Sequence, residues 1–454
     1  MPATVPRADR IGVDPSVLAF TAAITIGAAV VFGFVPAMWA MRPKLLDVLQ
    51  EGSRGAMGSR RARRLSDFMV VAEVALALVL LVGAGLLVRS FVQLTSVDPG
   101  FRTSGVTAVH IVLPDARYGP PAAKRQFFLS LLEQLEVVGG VESVSAVSAL
   151  PMSPLGQDFD LPFTVDGLEA TAPSDRPRAA YRAVMPDYFG AMGIRLVDGR
   201  LFTTFDGRED GPSVAIVNET AVERYFPDVS PLNRVIRMPM AGDLEIVGVV
   251  ADVRHDGLDA TAEVEVFVPY FQFPLSEMQV VLETNLDPGA VASMVRTQVA
   301  RLDATLPIGT VSPIEDLLSA TVAQPRFNMA LLVGLALCAA LLAAVGVYGV
   351  VTYAVARRTS EIGIRMALGA DAVRTFRQVV FGSLRVVSVG VVLGLAGAAI
   401  LGQSLEGLLF GVPPLDPVTF VVAGVGLVAV AAAAASLPAR RASVVDPVTA
   451  LRAD

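Results

Sequence analysis

Five apolar stretches alternate with polar segments along this 454-residue chain, over residues 17–40, 67–89, 327–353, 379–405 and 417–437. A hydrocarbon core of ~30 Å takes about 20 helical residues to cross, so the pattern predicts five transmembrane helices. One polar insert, residues 90–326, is too long and too polar to lie in lipid and is large enough to fold on its own core. Within it, alternation at 106–113 predicts a strand. Residues 122–137 carry Phe127, Phe128, Leu131, Leu132 and Leu135 on one side and predict a helix, with a second strand at 141–147. A similar unit follows near the end of the insert. It has a strand at 278–284, a helix at 288–306 with Asp287 as N-cap before Pro288, and an extended stretch at 308–312. Between these βαβ-like units, 160–272 reads as a mainly β subdomain with helices at 186–192 and 219–225.

Charge orients this layout. The net charge of −7 hides a segregation of basic residues. Arg42, Lys44, Arg54, Arg60, Arg61, Arg63 and Arg64 lie in the 41–66 loop, and Arg357, Arg358, Arg365, Arg374 and Arg377 in 354–378. Arg440, Arg441 and Arg452 follow the last stretch in 438–454, whereas the loop 406–416 has no basic residue. Short basic loops stay in the cytoplasm. The 1–16 segment, the insert and the 406–416 loop therefore fall outside. The expected fold class is a membrane α-helical protein of five spans with a large extracytoplasmic α+β domain. Hydrophobic residues make up 53% of the chain, and the mean hydropathy is positive, which agrees. A single Cys338, placed in a span, excludes an intrachain disulfide.

An internal repeat runs through the layout. Asp14-Pro15 and Asp416-Pro417 each open an apolar stretch, and at the same spacing Pro36-Ala37 matches Pro438-Ala439 and Leu49 matches Leu451. The first stretch therefore reads as the last helix of an incomplete first half, followed by one four-span half.

Catalytic constellations are missing from the sequence. It contains no G-x-x-x-x-G-K-[ST] loop and no G-x-S-x-G elbow. His110 and His255 have no metal-ligand spacing, and the acidic run 206–210 reads as a solvated loop, so neither a metal nor a cofactor is expected. The basic residues abut the apolar stretches, which leaves no nucleic-acid surface to account for. Two charges lie inside spans, Glu73 and Arg385, at matching depth near the cytoplasmic end. They are expected to face each other as an intramembrane charge pair, the alternative being that each snorkels separately to the inner interface. Gly83, Gly85, Gly390 and Gly394 are small positions where helix backbones can approach, within one subunit or between two.

After the third span, residues 356–370 form an amphipathic segment fit to lie on membrane lipid at the inner surface. Its sequence Arg358-Thr359-Ser360-Glu361-Ile362-Gly363-Ile364-Arg365-Met366-Ala367-Leu368-Gly369-Ala370 resembles the signature of FtsX-like, MacB-type ABC transporter permeases. Ala72-Glu73-Val74-Ala75-Leu76 and Gly83-Ala84-Gly85-Leu86-Leu87 are similar to that family's first helix. Pro186-Asp187-Tyr188-Phe189 and Val214-Ala215-Ile216-Val217-Asn218-Glu219 resemble its MacB-like periplasmic core domain, and 327–454 its permease domain. The layout is most similar to the duplicated orphan permeases, with most of the first half missing.

This resemblance implies a permease in the bacterial inner membrane with its large domain in the periplasm. It implies that Arg358, Glu361, Ile362, Gly363, Arg365, Ala367, Leu368 and Gly369 contact a cytoplasmic ABC ATPase subunit, which supplies the missing P-loop. The chain itself would not be an enzyme. Its further partners would be a second permease half or a homodimer mate, and an envelope protein. A non-transporting scaffold or receptor, binding an envelope partner without an ATPase, is the competing expectation.

Overall fold

The computed structural model describes residues 14–30, 55–165, 176–208, 211–239, 241–356 and 372–443. The chain divides into two units: Leu94–Val322, and the helices on either side of it in sequence.

Helix α1 (Pro15–Ala29) starts at an Asp-Pro step. Pro15 presets the first turn, and the Asp14 carboxylate accepts from the Ser16 amide at 2.8 Å and the Ser16 hydroxyl at 2.7 Å. Of the expected 17–40 span, this helix is the described part; residues 31–54 lie outside the described residues. Helix α2 (Gly55–Thr95) is a single run of 41 residues.

The outer unit continues with β1 (Val106–Val112), α3 (Pro121–Glu136) and β2 (Val141–Val147). Short strands β3 (Phe159–Pro162) and β4 (Thr164–Val165) precede β5 (Arg178–Val184), β6 (Leu196–Gly199) and β7 (Val214–Asn218). Then come α4 (Glu219–Tyr225), β8 (Val235–Met238), β9 (Gly242–Val250), β10 (Glu265–Pro269) and β11 (Glu277–Thr284). Helix α5 (Pro288–Leu302), β12 (Val311–Pro313) and α6 (Ile314–Thr321) complete it.

One sheet joins all these strands in the order β12-β1-β11-β2-β5-β10-β7-β9-β8-β4, with β3 on β5 and β6 on β9. β11 pairs antiparallel with both β1 and β2, and β1 pairs antiparallel with β12. The two expected βαβ units are therefore split and interleaved: each leaves a gap of one strand that the other fills, the ferredoxin-like arrangement. Residues between β2 and β11 form the inserted β-rich part. Helix α3 turns Phe127, Phe128, Leu131, Leu132 and Leu135 inward. Asp287 caps α5 through the Gly289 and Ala290 amides, and Val291, Val295 and Val299 are buried. The helix expected over 186–192 is a single turn at Tyr188–Ala191, preceded by Asp187 at φ +63°.

The helical unit resumes at α7 (Ala323–Ala356), followed by α8 (Ala372–Ser404) and α9 (Pro417–Ser443). Among the described residues four segments are long and apolar enough to cross a membrane: Ser66–Thr95, Ala323–Val355, Phe376–Ser404 and Pro417–Arg441. Pro438, expected at the exit of the last span, lies inside α9, which runs on to Ser443. Val74, Leu78 and Leu86 of α2 meet Ala343 and Val347 of α7, Val387 and Ala398 of α8, and Leu427 and Ala435 of α9 in one core.

Candidate coupling site in the helical unit

Helix α2 is the hub of this unit, and glycines on its neighbours make the closest contacts. A Cβ on Gly390 would stand 2.9 Å from the Val71 carbonyl oxygen, and one on Gly394 would stand 2.8 Å from that of Ala75. On α2 itself, a Cβ on Gly83 would meet Leu332 of α7 at 3.3 Å, and one on Gly85 would meet Thr419 of α9 at 2.7 Å. All four glycines lie at helix contacts inside this chain.

The structure does not bring Glu73 and Arg385 together. Glu73 turns to α7, where its carboxylate occupies the space that a side chain on Gly346 would fill. Arg385 is exposed, and no ion pair joins the two. Helical geometry gives the reason. At 3.6 residues per turn, Arg385 lies about 180° around α8 from Gly394, the residue that packs on α2. The helices touch, but the arginine faces away from the contact.

At the outer end, α2 is fastened to the loop between α8 and α9. Arg89 donates to the Asp416 carboxylate, whose side chain is only 8% exposed. Asp416 also accepts from the Thr419 amide at 2.8 Å and hydroxyl at 2.5 Å, capping α9. Burial raises the Asp416 pKa, but the bonds from Thr419 and Arg89 outweigh it and hold the carboxyl below its usual range. Ser90 accepts from the Phe410 amide at 2.7 Å. Gly411, at φ +66°, leaves room for the Gln93 side chain. Sequence reasoning found Asp416 as a helix start and missed its ionic partner.

The outer unit holds no catalytic arrangement among the described residues, and no metal-ligand group is formed there. Both histidines sit on carboxylates, His110 on Glu277 at 2.7 Å and His255 on Glu265 at 2.9 Å. Arg182, fully buried, pairs with Asp158 and lies 3.4 Å from Glu265. Burial disfavours the charge on Arg182, yet Glu265 and Asp158 more than restore it and its pKa is raised. One expectation needs correcting. Asp206 is not part of a solvated loop: it is 2% exposed, bound by Arg200 at 2.8 and 3.0 Å and by the Thr203 amide and hydroxyl. Those four bonds satisfy the carboxylate and let it be buried.

The amphipathic segment with Arg358, Glu361, Ile362, Gly363, Arg365, Ala367, Leu368 and Gly369 lies outside the described residues. Its flanks are α7, which ends at Ala356, and α8, which starts at Ala372.

Apolar helices of membrane-spanning length that carry a large α+β domain between two of them have the architecture of a multi-pass membrane protein with one large domain outside the membrane. Comparison with known families is specific. Residues 68–302 match the MacB-like periplasmic core domain, and residues 333–447 match the FtsX-like permease C-terminal domain. The chain belongs to the MacB/FtsX-type family of ABC transporter permeases. It is similar to the macrolide export ATP-binding/permease protein MacB of Mannheimia succiniciproducens, 26% identical over 287 residues, which cover 60% of this chain and 43% of that one. The MacB of Neisseria meningitidis serogroup A is 24% identical over 302 residues, 64% of this chain and 46% of its own. The chain thus spans less than half the length of these relatives. The periplasmic region of MacB from Actinobacillus actinomycetemcomitans aligns over 50% of this chain and 95% of its own, at 13% identity and a TM-score of 0.34.

Proposed function

We propose that the chain is the permease subunit of an ABC transporter and passes the work of a separate cytoplasmic ATPase to its extracytoplasmic domain. The observation that carries this reading is the insertion of the outer unit between two span helices. Helix α2 runs unbroken to Thr95 before it, and α7 starts at Ala323, directly after α6 ends at Thr321. Any shift of these two helices is a shift of the two strands of chain that enter and leave the domain. Among the described residues the buried core of the bundle is mainly Val, Leu and Ala, with Ser90, Asp416 and Thr419 buried at its outer end and Glu73 half-buried, a poor lining for a polar channel. Movement of helices accounts for transport work better than passage between them.

In this reading Arg358, Glu361, Ile362, Gly363, Arg365, Ala367, Leu368 and Gly369 form the cytoplasmic shelf that docks on the ATPase. The membrane is the bacterial inner membrane, and a second permease half or a second copy completes the transporter. The named relatives export macrolides, which supports an export role without fixing a cargo.

Co-purification in mild detergent with cross-linking tests the proposal. An ABC ATPase should be recovered with the wild-type chain and lost with Glu361→Lys or Gly363→Trp. Recovery of an envelope protein and no ATPase from cross-linked membranes would replace the permease by a scaffold.

A further inference from the structure

Arg385 poses a problem that the fold leaves open. It lies in the span Phe376–Ser404, it is exposed, and among the described residues no group pairs with it. A guanidinium facing lipid without a counter-charge is costly, and an anion held beside it would offset that cost. Its surroundings say what. Arg377, Phe381 and Arg385 recur at intervals of four along α8 and share one face, and all three are exposed. The Arg377 guanidinium stands 5.9 Å from the centre of the Phe381 ring. On the same side, Val389 and Val392 are 52% and 65% exposed, and a Cβ on Gly382 would meet open space. Two cations thus stand above an apolar helix face, with Arg385 about 12 Å deeper along the axis than Arg377.

We propose that this face of α8 is a binding site for an anionic phospholipid of the inner leaflet. The two guanidiniums hold the head-group phosphate, Phe381 lies against the glycerol region, and Val389 and Val392 line the acyl chains. Arginine suits a phosphate because its planar fork makes two parallel hydrogen bonds, and the long stem of Arg385 reaches up toward Arg377. Basic clusters on the cytoplasmic side of membrane helices attract anionic lipid at about 1 kcal/mol per charge, roughly a factor of five each. This inference needs the helices to span a membrane but is independent of the ATPase.

The test uses the full chain in nanodiscs of phosphatidylcholine containing a trace of photoactivatable phosphatidylglycerol. Label is expected on peptides from residues 372–392, with competition by unlabelled phosphatidylglycerol and not by phosphatidylcholine. Labelling should fall about fivefold for Arg385→Gln or Arg377→Gln and survive Arg385→Lys, which keeps the charge. Equal competition by the zwitterionic lipid, or label mapped to other helices, would overturn the proposal. Because the mapping and competition use the wild-type chain, they decide the matter even where a variant folds poorly.

Discussion

The outer unit buries Phe128, Tyr181, Tyr188, Phe267 and Tyr270 almost completely, whereas the helical unit fills its centre with Val74, Leu78, Leu86, Ala343 and Ala435 and makes its closest contacts at glycine. Edge-to-face ring pairs such as Phe128–Tyr270, with centroids 5.5 Å apart, belong to the outer unit. The difference follows from the solvent. In water, removing a large apolar side chain from solvent is the main driving force, so size is rewarded. In lipid the surroundings are as apolar as the core, and helices associate through close backbone approach, which rewards smallness. One chain has therefore solved two packing problems by opposite means.

Truncation in the outer unit should have the largest effect. Phe128→Ala removes a ring that is fully buried between α3 and the sheet, and should cost about 4 kcal/mol. Urea unfolding followed by near-ultraviolet circular dichroism would measure it; a loss below about 1 kcal/mol would mean that size is not what holds this core.

The same logic inverted applies to the helices. Gly394→Ala adds a methyl group where the Ala75 carbonyl oxygen and the Leu78 side chain already stand within 3 Å, and should cost about 2 kcal/mol. Gly424→Ala on α9 adds the same group to open space and should be neutral or slightly stabilising, since alanine is the better helix former. Thermal melts of both variants in one detergent make the comparison internal. Equal melting temperatures would remove the case for glycine contacts.

Much of this arrangement was legible from the residues alone. The period of two in 106–113 and the apolar stripe of 122–137 gave β1 and α3 within a residue or two, and Asp287-Pro288 marked the start of α5. Strand order was not legible, because the interleaving of β11 between β1 and β2 depends on pairing across more than a hundred residues. The direction of Arg385 was misread for a different reason. Equal depth in the membrane says nothing about azimuth, and only the contacts of Gly390 and Gly394 show which side of α8 faces α2. Arg182 gave no signal, since a lone arginine in Arg178–Val184 looks like a solvent-facing residue of a strand, yet six of the seven residues there are buried.

The smallest predicted effect concerns the repeat. Asp14 and Asp416 both precede proline and both cap a helix, but Asp14 bonds Ser16 at an exposed end, whereas Asp416 bonds Thr419 and also receives Arg89. Capping by a carboxylate contributes typically about 1 kcal/mol, and asparagine caps nearly as well. Asp416→Ala should therefore lower the stability of the bundle by about 1 kcal/mol, and Asp416→Asn by a few tenths, the part owed to the charge that strengthens the Thr419 bonds and attracts the half-exposed, screened Arg89. The pH dependence separates the two contributions. Since the folded-state pKa of Asp416 is lowered, its charge stabilises the fold above the ordinary carboxylate range, and this is lost as pH falls through the lowered value. Wild-type protein should lose that increment on acidification, and Asp416→Asn should not. Parallel acid profiles for the two would show that the charge of the carboxylate, with Thr419 and Arg89 as its donors, adds nothing to the cap.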